Sequence, residues 1–254
     1  HCRKAEWSVV PAELRDAERT ASKSQQADDG EFSRKIDSQD EDIGSRAVIR
    51  NARELVWYPS EVDTSIRTGW FYHPEEDTDV RTADELLDIY LDAVGANASL
   101  LLNIPPDTHG RIAASDCASL AEFGEKINQI FSINVTAKAE ITADSAIAQH
   151  PITQAVDGET STYWQAAYGQ ESNAVTLKFK NQQKISCVVL GEHLLTGQRI
   201  ESGEIWADDC KISDFTVVGH KRICRFDPVN VQTLIIKITA SRTEPTLQLL
   251  AVYQ

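Results

Sequence analysis

In the first half of the chain the apolar positions follow two rhythms. Leu55 to Tyr58 is a short unbroken apolar run stopped by Pro59, which predicts a buried strand. Thr82-Ala83-Asp84-Glu85 has the form of a capping box, in which the first and fourth residues satisfy each other's backbone N–H groups. It precedes a stripe at Leu86, Leu87, Tyr90, Leu91 and Val94, and Gly95 then stands where a helix end favours a left-handed residue. Leu100 to Ile104 is again continuous and ends at Pro105-Pro106, and a second helical pattern covers about Ser115 to Phe131 through Leu120, Phe123, Ile127, Ile130 and Phe131. Unbroken apolar strands alternating with amphipathic helices predict a parallel sheet covered by helices, because a strand buried on both faces needs no alternation.

After Asn134 the period shortens to two. Val175, Leu177 and Phe179 alternate with Thr176, Lys178 and Lys180, and Leu234, Ile236 and Ile238 alternate with Ile235, Lys237 and Thr239. Turn signals separate such runs at Asp157-Gly158, Tyr168-Gly169, Asn181 to Lys184, Gly203, Gly219 and Asp227-Pro228. This pattern predicts an antiparallel sandwich. The expected class is therefore α/β followed by all-β, with a boundary near Ser132 to Ala137 and domains of 1–134 and 135–254. Thr20 to Ser45, with Phe32, Ile36 and Ile43 as its main apolar residues, cannot bury a face and is expected to be a surface loop.

Composition removes several functions. The net charge is −14, with 14 Lys and Arg against 26 Asp and Glu over residues 1–131 and 11 against 13 over 132–254. Such a chain lacks the basic stripe that nucleic acid requires. Its apolar runs are strand-sized, so no membrane partner is expected. A chain that opens His1-Cys2 and contains no Met reads as processed, excised or incomplete, with any export signal upstream. Cys2, Cys117, Cys187, Cys210 and Cys224 are widely spaced, without a C-x-x-C pair, which argues against a disulfide framework or a cysteine zinc site. Cys117 and Cys187 are expected to be small buried residues, and one bridge stays open within the second half.

The candidate chemistry is concentrated in Trp57 to Asp77. Trp57, Tyr58, Trp70, Phe71 and Tyr72 are interleaved there with Glu61, Asp63, Arg67, His73, Glu75, Glu76 and Asp77. Aromatic faces beside carboxylates and a guanidinium suit a sugar, whose C–H face stacks on a ring while its hydroxyls take charged partners. Two core strands joined by a solvated connection would look the same in composition.

The order of the residues is more telling. P-S-E-V-D-T-S-I-R-T-G-W-F-Y-H from Pro59 to His73 resembles the signature of glycoside hydrolase family 29, the α-L-fucosidases, and Glu6 to Pro11 and Ser99 to Asp107 resemble its E-W-S-V-V-P and L-L-L-N-I-P-P-D pieces. The resemblance implies the C-terminal part of a (β/α)₈-like barrel, secreted to an extracellular or periplasmic location. It implies a retaining hydrolase that releases α-linked L-fucose from a fucosylated oligosaccharide through a covalent intermediate on an Asp. The matching motifs place that nucleophile and the acid/base Glu upstream of His1, so no catalytic residue is expected within the chain. Glu61 and Asp63 are expected to contact substrate, with Trp70 as stacking platform. Arg67 is expected either to donate to substrate or to form a salt bridge with Asp63 that shapes the loop. His73 is expected either to bind sugar or to brace the loop, Asn103 to orient it, and Glu75, Glu76 and Asp77 to form a solvated run.

Ala155 to Trp164, A-V-D-G-E-T-S-T-Y-W, resembles the entry motif of the discoidin-like, or coagulation factor 5/8 type C, jelly-roll sandwich. This resemblance covers about residues 138–254 and implies a carbohydrate-binding or packing module, which is also the alternative reading of the whole chain. Asp157 and Thr162 match positions that help hold a structural Ca²⁺ in that family. Pro245 to Leu250 lack the family's acidic residue, however, and Asp157-Gly158 reads equally well as a turn. No other metal or cofactor is expected. Trp164 is expected in the core. Asn97-Ala98-Ser99 and Asn134-Val135-Thr136 fit the glycosylation sequon.

Overall fold

The computed structural model describes residues 7–12 and 44–254. Most of the expected surface loop Thr20 to Ser45 lies outside these residues. The first part comprises β1 (Val9–Pro11), α1 (Arg46–Ile49), β2 (Leu55–Trp57), β3 (Glu61–Ser65), α2 (Ala83–Ala93), β4 (Ser99–Asn103) and α3 (Ala114–Ile130). The capping box of α2 forms: Thr82 Oγ1 accepts from Glu85 N at 3.3 Å, and the Glu85 carboxylate accepts from Thr82 N at 2.8 Å. The helix buries Leu86 and Leu87 and meets α3 through an edge-on Tyr90–Phe123 contact of 6.1 Å.

Three local expectations change. The Leu55–Tyr58 run makes a strand that pairs antiparallel with β1, and Leu55 and Trp57 are about half exposed rather than buried. The segment expected to be loop after Pro59 contains β3, paired parallel with β4 from Glu61↔Ser99 to Ser65↔Asn103. Gly95 is not left-handed; that conformation falls to Asn97, at φ 67°. Gly95 is required because a Cβ there would lie 2.2 Å from the Leu91 carbonyl and 3.0 Å from Ile223 Cβ.

The second part is mostly β: β5 (Ala139–Ala143), β6 (Trp164–Gln165), β7 (Asn173–Gly191), β8 (Ile200–Ala207), β9 (Cys210–Phe215), β10 (Arg222–Ser241), β11 (Thr246–Leu247) and β12 (Leu249–Tyr253). An antiparallel sheet runs β12-β7-β10-β8-β9, with β5 also on β7, and β6 pairs with β11. Asn181 to Lys184 and Asp227-Pro228 do not end strands as expected. They fall at the two register shifts of the β7–β10 pair, where the long strands bend. Gly203 likewise sits inside β8, where a Cβ would lie 2.0 Å from the Phe215 ring. Side chains from both ends of this pair, including Val175, Leu177, Leu190 and Ile236, join one buried cluster around Trp164 and Phe179.

A smaller cluster joins the two parts. Cys187, Val189, Ile223 and Ala251 of the sheet pack against Tyr90 and Leu91 of α2, Ile130 of α3 and Phe131. Asn97 pins the same junction, accepting from His220 N at 2.6 Å and donating to Ser8 Oγ at 3.1 Å, so the amide of this sequon is buried and engaged. The cysteines correct one expectation: Cys187 is buried, but Cys117 is exposed. The open possibility of a bridge in the second half is not realised among the described residues. Register opposes Cys187 to Arg225 and Cys224 to Val188, which puts the two thiols on opposite faces of the sheet. Burial pushes both up to about 12.

Glu192, buried beside the junction, takes N–H bonds from Arg199 (2.6 Å), Ile200 (2.9 Å) and Gly219 (2.7 Å). Burial outweighs those donors and raises its pKa from 4.5 to about 7. The fold therefore prefers the protonated acid, and stability falls as pH rises from about 4.5 to above 7, by up to about 3 kcal/mol. Urea midpoints measured between pH 4 and 8 should show this slope in the native sequence. Glu192→Gln should remove it, and an unchanged slope would assign the dependence to other groups.

Candidate functional site

Because β3 and β4 are parallel, their carboxyl ends open on the same side, and the chain leaves β3 there into the loop 66–79. The loop is built around Arg67, whose side chain is fully buried. Its Nε and Nη2 meet the two carboxylate oxygens of Asp116, in the first turn of α3, at 3.1 and 2.7 Å. Nη2 also reaches Asp77 Oδ1 at 2.7 Å, and Nη1 donates to the His73 carbonyl at 3.3 Å. The guanidinium lies 4.8 Å from the centre of the Tyr72 ring, whose hydroxyl donates to Asp77 Oδ2 at 3.3 Å. Asp116, then Asp77, hold Arg67 above its ordinary pKa against the opposing effect of burial. Two-pronged pairing with a buried carboxylate fixes both the position and the plane of the guanidinium.

Around this lock the turn is closed by backbone contacts. Ser65 Oγ donates to Gly69 O at 2.7 Å, and Asn103 Nδ2 donates to Trp70 O at 3.0 Å and to Ser65 Oγ at 3.2 Å, so Asn103 orients the loop as expected. Beside it, Asp107 accepts from His109 N at 2.8 Å and Arg111 N at 2.9 Å, which lowers its pKa and sets the turn after β4. The result is a rigid shelf on which Trp70 is 43% and Phe71 78% exposed.

The predicted site residues divide between two places. Arg67, Trp70 and His73 share the shelf, His73 contributing its carbonyl to the lock while its side chain is exposed. Glu61 and Asp63 are exposed on β3 rather than on the loop. Arg67 does not pair with Asp63; its partners are Asp116 and Asp77, so Asp77 belongs to the lock rather than to a solvated run. Asp63 instead helps line a cavity of about 890 Å³ between β3, α2 and the β9–β10 region, together with Arg81, Asp214 and Arg222.

Sequence reasoning missed Asp116, for which a signal existed. It stands on the helical spacing of Leu120, Phe123 and Ile127, so a charge occupies the inward stripe of α3. Among the described residues no group of three or more His, Cys, Asp or Glu could hold a metal ion. Asp157 and Thr162 are brought together, with Thr162 Oγ1 donating to Asp157 Oδ2 at 2.8 Å and Glu159 N to Asp157 Oδ1 at 2.9 Å. With Gly158 at φ 81°, these bonds are those of a self-contained turn. No helix among the described residues is long and apolar enough to cross a membrane.

Residues 16–129 match the Alpha-L-fucosidase family. Alpha-L-fucosidase 1 of Arabidopsis thaliana is 33% identical over 211 residues, covering 78% of this chain and 41% of the relative. A Bacteroides thetaiotaomicron protein of known structure, named provisionally as an α-L-fucosidase, superposes on the whole chain with a TM-score of 0.82 at 25% identity, over 52% of its own length. A Ruminococcus gnavus GH29 fucosidase solved with fucose gives 0.71 at 26% identity, covering 78% of this chain and 41% of its own. The chain spans about two fifths of the length of the curated relatives it matches. A fucosidase-like α/β part with a mostly β C-terminal part is common ground with these structures, and the chain is similar to the α-L-fucosidases, glycoside hydrolase family 29, through its matched residues 16–129 and beyond.

Proposed function

We propose that the intact protein is a retaining hydrolase that releases α-linked L-fucose from oligosaccharides, and that the loop 66–79 forms one wall of its sugar-binding site. The observation that carries this reading is the shelf itself: within the family-matched stretch, a fully buried Arg67–Asp116 pair holds two exposed aromatic rings at the carboxyl end of a parallel strand pair. Such strand ends are where barrel enzymes collect their chemistry. In this reading residues 1–134 are the C-terminal part of a (β/α)₈-like barrel. Among the described residues β3 and β4 pair only with each other, and Leu101 on their uncovered face is exposed. Parallel strands are ordinarily covered on both faces, so further strands and chain are expected against them.

Glu61 and Asp63, on that same strand pair, are assigned to substrate contact, and Trp70 to stacking on a sugar ring. The nucleophile Asp and the acid/base Glu are assigned upstream of His1. Residues 135–254 are read as a discoidin-like sandwich, and the location as extracellular or periplasmic. The fucose complex of the R. gnavus relative supports fucose as the sugar.

Full-length protein assayed with an aryl α-L-fucoside and a branched fucosyl-oligosaccharide should release fucose with retained anomeric configuration. Absence of turnover by folded full-length protein on both substrates would favour a non-catalytic carbohydrate-binding or packing role.

A further inference from the structure

Polar contacts between the two parts converge on Trp7 and Ser8, which are 3% and 2% exposed. The cation of Arg242, just after β10, lies 3.5 Å from the centre of the Trp7 ring, a partly buried cation–π contact. The same guanidinium donates from Nη2 to the Gly44 carbonyl, and Gly44 itself presses on Trp7, since a Cβ there would lie 2.2 Å from Trp7 Cβ. Ser8 is held at three atoms. Its N donates to Gln198 Oε1 at 2.9 Å, its Oγ accepts from Asn97 Nδ2 at 3.1 Å, and its carbonyl accepts from Tyr58 N at 2.8 Å. Gln198, just before β8, is buried, and Arg242 N donates to the carbonyl of its neighbour Arg199 at 2.8 Å. The two residues of the β part that grip this segment are thus fixed to each other. Close by, Arg46 Nε meets both carboxylate oxygens of Glu201 at 2.9 and 3.0 Å, and Arg46 donates to the Ser241 carbonyl.

What Ser8 holds in turn is the start of the substrate strand. From the Tyr58–Ser8 bond the β1–β2 ladder runs on through Val9↔Trp57 to Pro11↔Leu55. On the other side Tyr58 is followed by Pro59, which keeps Tyr58 extended and fixes its own φ, so little slack separates Tyr58 from Ser60. The Ser60 carbonyl accepts from Ser99 N at 2.9 Å, and Glu61 then opens β3. Among the described residues β3 is paired with β4 alone. Its placement therefore depends on β4 along one edge and on the Tyr58–Ser8 tether at its start. β3 carries Glu61 and Asp63 and delivers the chain to Arg67 and the shelf, so a displacement of Ser8 is passed on to them.

From this path we infer that Arg242 and Gln198 are positioning residues for the fucosidase reaction: across the junction they fix Trp7 and Ser8, and through Tyr58 they set where β3 presents Glu61 and Asp63. The inference rests on the assignment of those two carboxylates to substrate contact. Its test uses full-length protein and the variants Arg242→Met, Arg242→Lys and Gln198→Met. Phe179→Leu, in the sheet core away from this path, controls for lost stability. Amide hydrogen exchange at Tyr58 and along residues 61–65 should quicken about tenfold in both methionine variants while the amides of the β7–β10 pair hold. KM for a branched fucosyl-oligosaccharide should rise about threefold to tenfold with kcat within about twofold, the size of one lost polar contact. Arg242→Lys keeps a cation for the Trp7 ring and should recover most of both effects. Phe179→Leu should lower the unfolding midpoint and leave KM where it was. Unchanged exchange at Tyr58 overturns the inference, as does an unmoved KM in both methionine variants, a lysine variant as impaired as Arg242→Met, or an equal rise in KM with Phe179→Leu. Wild-type protein that turns over no fucoside defeats the fucosidase reading instead, and Kd for the oligosaccharide then takes the place of KM in the same comparison.

Discussion

Asp116→Ala should destabilise the protein by about 3–5 kcal/mol, because it leaves the Arg67 guanidinium buried and uncompensated apart from Asp77 at the edge of the loop. The effect should spread through everything Arg67 organises, because the His73 carbonyl, the Tyr72 ring and the Asp77 carboxylate all meet a guanidinium that Asp116 would no longer hold in place. Urea unfolding measures the loss. Kinetics then separate stability from positioning. Arg67→Met combined with Asp116→Leu fills the same space without charge and should recover most of the stability. The double variant should still show a raised KM for a branched fucosyl-oligosaccharide, since only the Ser65 and Asn103 bonds then hold the shelf that carries Trp70 and Phe71. A loss under about 1 kcal/mol for Asp116→Ala would mean the pair does not hold the loop, because breaking a buried pair should cost several times that.

Trp164→Ala is expected to cost about 3–5 kcal/mol, the range for emptying a large aromatic site in a packed core. Trp164 is fully buried, pairs with Leu247 across the β6–β11 ladder, and donates from Nε1 to the Ser145 carbonyl at 3.0 Å. Since Ser145 also holds Asn173 and Ala167, the substitution should loosen the segment between β6 and β7 as well as the core. Trp70→Ala is the natural comparison. Its ring is partly exposed on the shelf, so its removal should move stability by within about 0.5 kcal/mol and act on substrate binding instead. Equal unfolding midpoints for the two variants would contradict the assignment of one Trp to the core and the other to a surface.

The legible elements were those whose cause is local. The α2 capping box involves residues three apart, and the α3 stripe and the continuous β4 run obey periods readable in a single window. The shift to period two after Asn134 marked where helices end and antiparallel strands begin, from Ala139 onward. β3 was less visible, because Glu61-Val62-Asp63-Thr64-Ser65 alternates charge with β-branched residues and looked like part of an aromatic, charged loop. The order of the residues singled out Trp70 and Arg67, and of the partners expected for Arg67 the structure replaces Asp63 by Asp116 and Asp77. Asp116 was legible only as a charge on the inward stripe of α3, and its partner was not, since an acidic residue in a first helical turn ordinarily needs no partner beyond the helix itself.

By itself the sequence determined the helices, the β4 strand, the change of class near residue 134 and the likeness to the α-L-fucosidases, because these follow from short-range periodicity and from a motif read in order. Tertiary structure decided which charges meet and which surfaces are covered. Arg67 chose Asp116, 49 residues away, over the nearby Asp63. The β7–β10 pair bent through its turn-like residues instead of breaking there, and Gly203, a turn signal in the sequence, is required inside β8 by the Phe215 ring of β9, 2.0 Å from where a Cβ would lie. The physical reason is common to all three. A buried charge, a bulge or a missing Cβ is set by what lies opposite in space, and that partner is placed only when distant segments pack.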